Sequence, residues 1–295
     1  MAEINPPISP LLRFLTFIKV LVLFTVGAGL LIVPGIASQI WPWDLLPFNA
    51  RFLGAIYAAA CFAAVIQLVY ARWSPARLVT SMIFLFTTLI SILSFVYINN
   101  FDFERWEVWV WFIVYIILPI NAAYHLWLYR NLPPVDSTPL AASTRTILTI
   151  QSVVLGLYGL MLIVAPAFAK GIWSWEIDDF HAQVYSVTFL TPAIGSYVLT
   201  KGATKLEWTT LGVSQLLLGF LPILGVLIVD ATVNRVDYFA MGTWVWFLLF
   251  ASIGSLGIWI DVYKRQVFAV YLSAATGNRA PETVIKVKAK PTRCV

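Results

Sequence analysis

Charge is scarce in this chain. Only 11% of its 295 residues are Asp, Glu, Lys or Arg, against 60% that are hydrophobic. Soluble domains carry about a quarter of their residues as charges, so a water-facing globular fold is excluded. Histidine and cysteine are scarcer still, two of each. Cys61 lies within an apolar run and Cys294 is next to last, so no structural disulfide is expected. The final Cys294-Val295 is not a prenylation box. Walker loop, G-x-S-x-G, H-E-x-x-H, dinucleotide fingerprint and C-x-x-C are all missing. The chain therefore reads as no enzyme, with no cofactor. No Asp or Glu stands near the centre of an apolar run. Ion-coupled transporters place ionisable groups there, so a coupled pump is disfavoured.

What is abundant is apolar sequence in runs of membrane length. Eight are read, at about 13–36, 51–71, 77–98, 107–129, 146–168, 182–200, 208–229 and 241–262. A hydrocarbon core of roughly 30 Å takes about 20 residues of helix. Backbone groups in lipid must be satisfied locally, and barrel strands would alternate over about ten residues. The fold class is thus all-α, a polytopic membrane helix bundle of eight transmembrane helices. The first run far exceeds the apolar core of a cleaved signal peptide and reads as a retained span.

The runs fall into two matched sets. Positions 13–71 align without a gap on 145–203, with 14 of 59 identical. Gly27 meets Gly159, Pro34 meets Pro166, Trp41 and Trp43 meet Trp173 and Trp175, and Phe48 and Ala50 meet Phe180 and Ala182. After a three-residue slip, Asn99 and Asp102 meet Asn234 and Asp237, and the WVWF of 109–112 meets that of 244–247. Four spans per repeat is an even number, so both halves enter from one side. The reading is a parallel tandem duplication, unlike the inverted repeats of many coupled transporters. It divides the chain into repeat 1–130, linker 131–143, repeat 144–265 and basic tail 266–295. Residues 263–275 either prolong the last span or lie on the membrane surface.

Sorted by side, one face of the membrane receives 15 basic and 5 acidic residues, the other 4 and 9. Lys19 is counted on the basic side. The positive-inside rule then places both termini in the cytoplasm of a plasma (inner) membrane. The net charge of +5 is topological bias and gives no reason to expect nucleic acid.

Candidate residues follow. Nine of thirteen tryptophans fall on the outer side, among them Trp41, Trp43, Trp173 and Trp175. They read first as an interfacial belt and second as an aromatic mouth for a hydrophobic ligand. Asn49 and Asp178 or Asp179 are placed to cap spans 2 and 6. The W-x-W…F-x-A segments, Trp41 to Ala50 and Trp173 to Ala182, resemble loops of uncharacterised bacterial multi-spanning membrane proteins; the resemblance covers mainly these loops and implies no activity. Glu176, Asp178, Asp179 and His181 lack any fixed metal-ligand spacing, so helix capping is preferred to a metal site. Asn121 and His125, one turn apart in span 4, form a polar pair replaced by Leu256 and Ile260 in the second repeat. They read as an interhelical hydrogen bond or a ligand contact. Pro119, Pro192 and Pro222 interrupt spans 4, 6 and 7, with 191–196 the expected kink. Ser81, Thr188, Thr191, Ser196 and Ser214 are expected to satisfy themselves on backbone. The functional expectation is binding or passage of a small hydrophobic molecule at the repeat interface. The alternative is a non-catalytic structural subunit. Partners are the lipid bilayer and a membrane protein or second copy.

Overall fold

Proline sets the helix boundaries. A computed structural model describes residues 5–132 and 140–276, with side chains as far as Ile260. Helix α1 (Pro10–Ile32) opens on proline, whose missing N–H has no helical partner at that position. Ser9 caps it, its Oγ accepting from the Leu12 N–H at 3.1 Å. The residue before a proline is pushed out of the helical region, and Val33 ends α1 at φ −125°, ψ 56°. Pro34 starts the single turn α2 (Pro34–Ala37), and a 3-10 turn follows at Ser38–Ile40. Then come α3 (Pro47–Tyr70), α4 (Trp73–Val96) and α5 (Trp106–Leu128).

The second half runs α6 (Ala142–Val164), α7 (Pro166–Ala169), a 3-10 turn at Lys170–Ile172, α8 (Asp179–Tyr185), α9 (Val187–Thr200), α10 (Lys205–Val233) and α11 (Met241–Thr276). Among the described residues the only β pairing is an isolated bridge between Pro7 and Arg72.

Local geometry recurs along both alignments. Ala165 before Pro166 sits at φ −137°, ψ 58°, like Val33 before Pro34. A helix that stops leaves its last carbonyls unpaired. Arg51 reaches that of Leu31, and Gln183 at the matching position donates to that of Ile163 at 2.8 Å. Trp109 Nε1 donates to the Phe103 carbonyl at 3.0 Å, and Trp244 Nε1 to the Tyr238 carbonyl at 2.9 Å. Asp102 and Asp237 each accept from the backbone two residues on.

Among the described residues seven helices are long and apolar enough to cross a membrane: α1, α3, α4, α5, α6, α10 and α11 through Ile260. The expected sixth span is divided into α8 and α9. Its interruption falls at Ser186 instead of 191–196. Pro192, inside α9, leaves the Thr188 carbonyl without its helical donor, and the break lies half a turn before Thr188. There Ser186 keeps helical angles, φ −53° and ψ −35°, while its carbonyl receives both the Phe189 and Leu190 N–H groups.

The helices pack in two rows. α3 lies between α1 and α10, and α10 carries α11; α9 lies between α6 and α4, and α4 carries α5. α3 and α4, though consecutive, touch only lightly. Thus α3 of the N-terminal half packs on α10 of the C-terminal half, and α9 of the C-terminal half on α4 of the N-terminal half. α10 and α11 meet at glycine: a Cβ on Gly219 would collide with the Gly254 backbone, and one on Gly257 would lie 2.5 Å from the Gly212 carbonyl.

At the end where α4 and α10 begin, Arg77 Nε and Nη2 donate to Glu207 at 3.0 and 3.2 Å, and Nη2 also to the Gly202 carbonyl at 2.8 Å. Thr204 caps α10 in a reciprocal box with Glu207 and joins Ser74 Oγ at 2.7 Å. The bundle exterior is apolar: Phe14, Phe17 and Phe24 on α1, Ile113, Ile117 and Ile120 on α5, and Val153, Leu157 and Leu160 on α6 are exposed. Lipid tails solvate such faces and water does not. This is the build of a multi-pass integral membrane protein.

Asn49 does not cap α3. Pro47 takes the first helical position, so the helix starts earlier and Leu46 is its cap residue. Asp178 does cap α8. Residues 263–275 prolong α11. Cys61 is free, on α3. Cys294, most of the basic tail and the middle of the linker lie outside the described residues.

Candidate functional site

The outer tryptophans do two different things. Trp106, Trp109 and Trp244 are exposed, as an interfacial belt requires. Trp41, Trp43, Trp111, Trp173, Trp175 and Trp246 are buried, which corrects the belt reading for them. The one-turn helices after Pro34 and Pro166 fold each W-x-W segment back over the bundle end, so its rings enter the interior. There they meet edge to face, the geometry that aromatic quadrupoles favour. Trp41–Trp111 and Trp43–Trp111 centroids lie 5.5 and 4.9 Å apart. Their counterparts, Trp173–Trp246 and Trp175–Trp246, lie at 6.2 and 5.6 Å.

Each segment also crosses to the other half. Trp43 packs on Phe180 at 5.2 Å, and Trp175 stacks on Phe48 at 5.5 Å. Trp175 Nε1 donates to Asn49 Oδ1 at 2.8 Å. The matching residue to Asn49 is His181, whose ring lies 6.5 Å from that of Trp43. The rings fill the region between the halves.

The acidic group after Trp175 is also engaged locally. Asp178 accepts from the His181 backbone at 2.7 Å and lies 2.8 Å from its Nδ1. Lys170 pairs with Asp179 at 2.7 Å, and this hydrogen bond raises the Lys170 pKa above its ordinary value. Among the described residues no three His, Cys, Asp or Glu side chains gather to hold a metal ion.

The other end of the bundle holds a cleft. It lies between α1, α4 and α5, with Thr16, Lys19, Thr80 and Asn121 set against Leu12, Leu15, Ile83 and Leu118. Lys19 stands nine residues into α1, about 14 Å from its start at 1.5 Å per residue, so it lies within a candidate membrane span and not at its flank, where the topology tally counted it. Its Nζ lies 3.5 Å from Gln67 Oε1 on α3. Two polar atoms of the cleft lining are buried without a hydrogen-bond partner, Thr80 Oγ1 and Asn121 Oδ1, and on α3 so is Gln67 Nε2. Pro119 adds to the local shape. It leaves the Tyr115 carbonyl without its helical donor, and Ser91 Oγ donates to that carbonyl.

Asn121 and His125 are not paired through their side chains. His125 Nδ1 lies 2.8 Å from the Asn121 backbone carbonyl, and its Nε2 lies 2.6 Å from Ser9 Oγ. A carbonyl only accepts, so Nδ1 carries a proton, and in the neutral ring Nε2 receives the Ser9 hydroxyl hydrogen. His125 thus pins the start of α1, and Asn121 lines the cleft one turn above it.

The structure brings Asn121 and His125 to one end and Trp41, Trp43, Trp173 and Trp175 to the other. Trp111 and Asn121 on the same helix are ten residues apart, about 15 Å. Lys19, Thr80 and Gln67 were not singled out together by the sequence, although a signal was there. Lys19 aligns with Gln151, and Thr80 aligns with Gln215 at the second offset. At that place Gln151 Nε2 donates to Gln215 Oε1 at 3.0 Å, and Ser196 Oγ to Gln151 Oε1 at 2.9 Å. Ser196 is thus paired with a side chain and not with backbone, while Thr188, Thr191 and Ser214 have buried hydroxyls without a partner. Compared with family models, with curated proteins and with solved structures, the chain matches none.

Proposed function

We propose that this chain is a non-catalytic integral membrane protein of eight spans in two parallel repeats, which binds or passes a small molecule with a polar group. Its site is the cleft of α1, α4 and α5, within the first repeat and not between the repeats. The cleft carries this reading: an intramembrane lysine, apolar walls and buried polar atoms without partners stand together, and intramembrane ionisable groups are commonly functional. The recurring loop geometries and helix pairings support the duplication. Asp179 to Thr200, continuous in helical angles, is about 33 Å long at 1.5 Å per residue, enough for an eighth span. An even count returns the end of α11 to the side of α1, and the basic excess there assigns that side to the cytoplasm of a plasma (inner) membrane.

Native mass spectrometry of gently solubilised protein tests the reading. A stoichiometric small molecule, absent from Asn121→Leu, is the expected result. A stoichiometric protein partner with no small molecule would favour the structural-subunit alternative.

A further inference from the structure

Resting on that choice of cleft, we propose that the group it binds is a small monovalent anion, a halide or the carboxylate of a fatty acid, held by the Lys19 ammonium. Charge is the first argument. Among the described residues no carboxylate lies within ion-pair distance of Lys19. Its polar neighbour is the neutral Gln67 amide at 3.5 Å. A cation withdrawn from water without a counter-charge is strongly disfavoured, and an anion in the cleft removes that penalty.

Donors are the second argument. Thr80 Oγ1, in the lining of the cleft, is buried and without a partner, on a residue 2% exposed. Its hydroxyl carries a hydrogen to donate, as anion sites require. Asn121 presents its own NH2 to the same cleft when its amide is turned by half a rotation.

The third argument is the matching place in the C-terminal half. There Gln151 replaces the cation, Gln215 replaces Thr80, and with Ser196 they satisfy one another. That set is neutral and closed. The N-terminal set differs from it by one positive charge and by the unpaired donors.

The experiment is thermal unfolding of the full-length protein in detergent, delipidated, at constant ionic strength. Chloride replaces gluconate in one series, and oleate is added in a second. The wild type should gain several degrees with one of the two, and Lys19→Gln, which copies Gln151, should gain nothing. A gain with chloride assigns a free halide, and a gain with oleate alone assigns a lipid-borne carboxylate. Thr80→Val should keep the response at an apparent affinity about tenfold weaker, the effect of one lost hydrogen bond to a charge. If Lys19→Gln does not accumulate, Thr80→Val decides, and an undiminished response in it overturns the proposal. Absence of any gain in the wild type overturns it as well. A neutral molecule retained in mass spectrometry and lost in Asn121→Leu would then leave the cleft standing as a site while removing the anion.

Discussion

His125 shows how a single polar side chain in a membrane is used once its whole environment is known. It is fully buried, with both ring nitrogens engaged and the Ser9 hydroxyl shared between its Nε2 and the Leu12 N–H. Ser9→Ala removes a helix cap, typically about 1 kcal/mol, and leaves a buried imidazole nitrogen unpaired, a further ~1–3 kcal/mol. We expect a loss of about 2 kcal/mol or more in denaturant unfolding in detergent; a change under half of that would show that the latch contributes little. His125 was legible in the sequence as a lone intramembrane histidine. Ser9 was not, because it lies 116 residues away and only folding joins them. Asn49 is a parallel case. Read as a cap from its place at the start of a span, it is the acceptor for an indole from the other half. Asn49→Leu would strand the buried Trp175 N–H, with an expected cost of ~1–3 kcal/mol. Asn49→His, which copies the other half, should lose less in the same unfolding assay.

At the scale of elements, hydropathy located the helices because that signal is local, but the ends set by Pro34, Pro47 and Pro166 fall four residues from the ends it drew. Where two helices touch was not local and was missed. The contact of α10 and α11 depends on Gly219 and Gly254, which face each other with no side chain between. Gly219→Leu forces the pair apart. Overpacking of this kind typically costs about 1–3 kcal/mol, and we expect a lower midpoint of thermal unfolding and weaker crosslinking between cysteines placed along the two helices. Arg77 and Glu207 tie α4 to α10 at the opposite end from the tryptophans, with Glu207 almost wholly buried. Glu207→Ala leaves the guanidinium without its counter-charge, with only the Gly202 carbonyl to accept from it, and breaking a buried pair typically costs ~3–5 kcal/mol; Arg77 is 19% exposed, so the lower part of that range is expected. The double variant Arg77→Met, Glu207→Leu should recover part of the loss, since no orphaned charge remains. A double variant as unstable as the single one would mean that the pair is itself strongly stabilising.

For the whole molecule, the alignment of the two halves was visible in the sequence, but the way the halves fit together was not. A repeat of four spans suggests two bundles side by side. Instead α3 of the N-terminal half packs on α10, α9 of the C-terminal half packs on α4, and each W-x-W segment rests on a phenylalanine of the other half. Nothing in a span's hydropathy states which other span it will face, since lipid and a neighbouring helix are both apolar. The arrangement has a consequence for fragments. Residues 1–132 expressed alone would leave the inner faces of α3 and α4 uncovered, including Phe52, which packs against Trp173, Tyr185 and Phe250. Residues 140–295 alone would leave Trp175 without Phe48 and Asn49. Each fragment should therefore be degraded or aggregate when made singly, while co-expression of the two should give a complex that copurifies and unfolds in one transition. Two fragments that fold separately, each with its own transition, would show that the four-span units are autonomous and that the crossed helix pairs are secondary contacts.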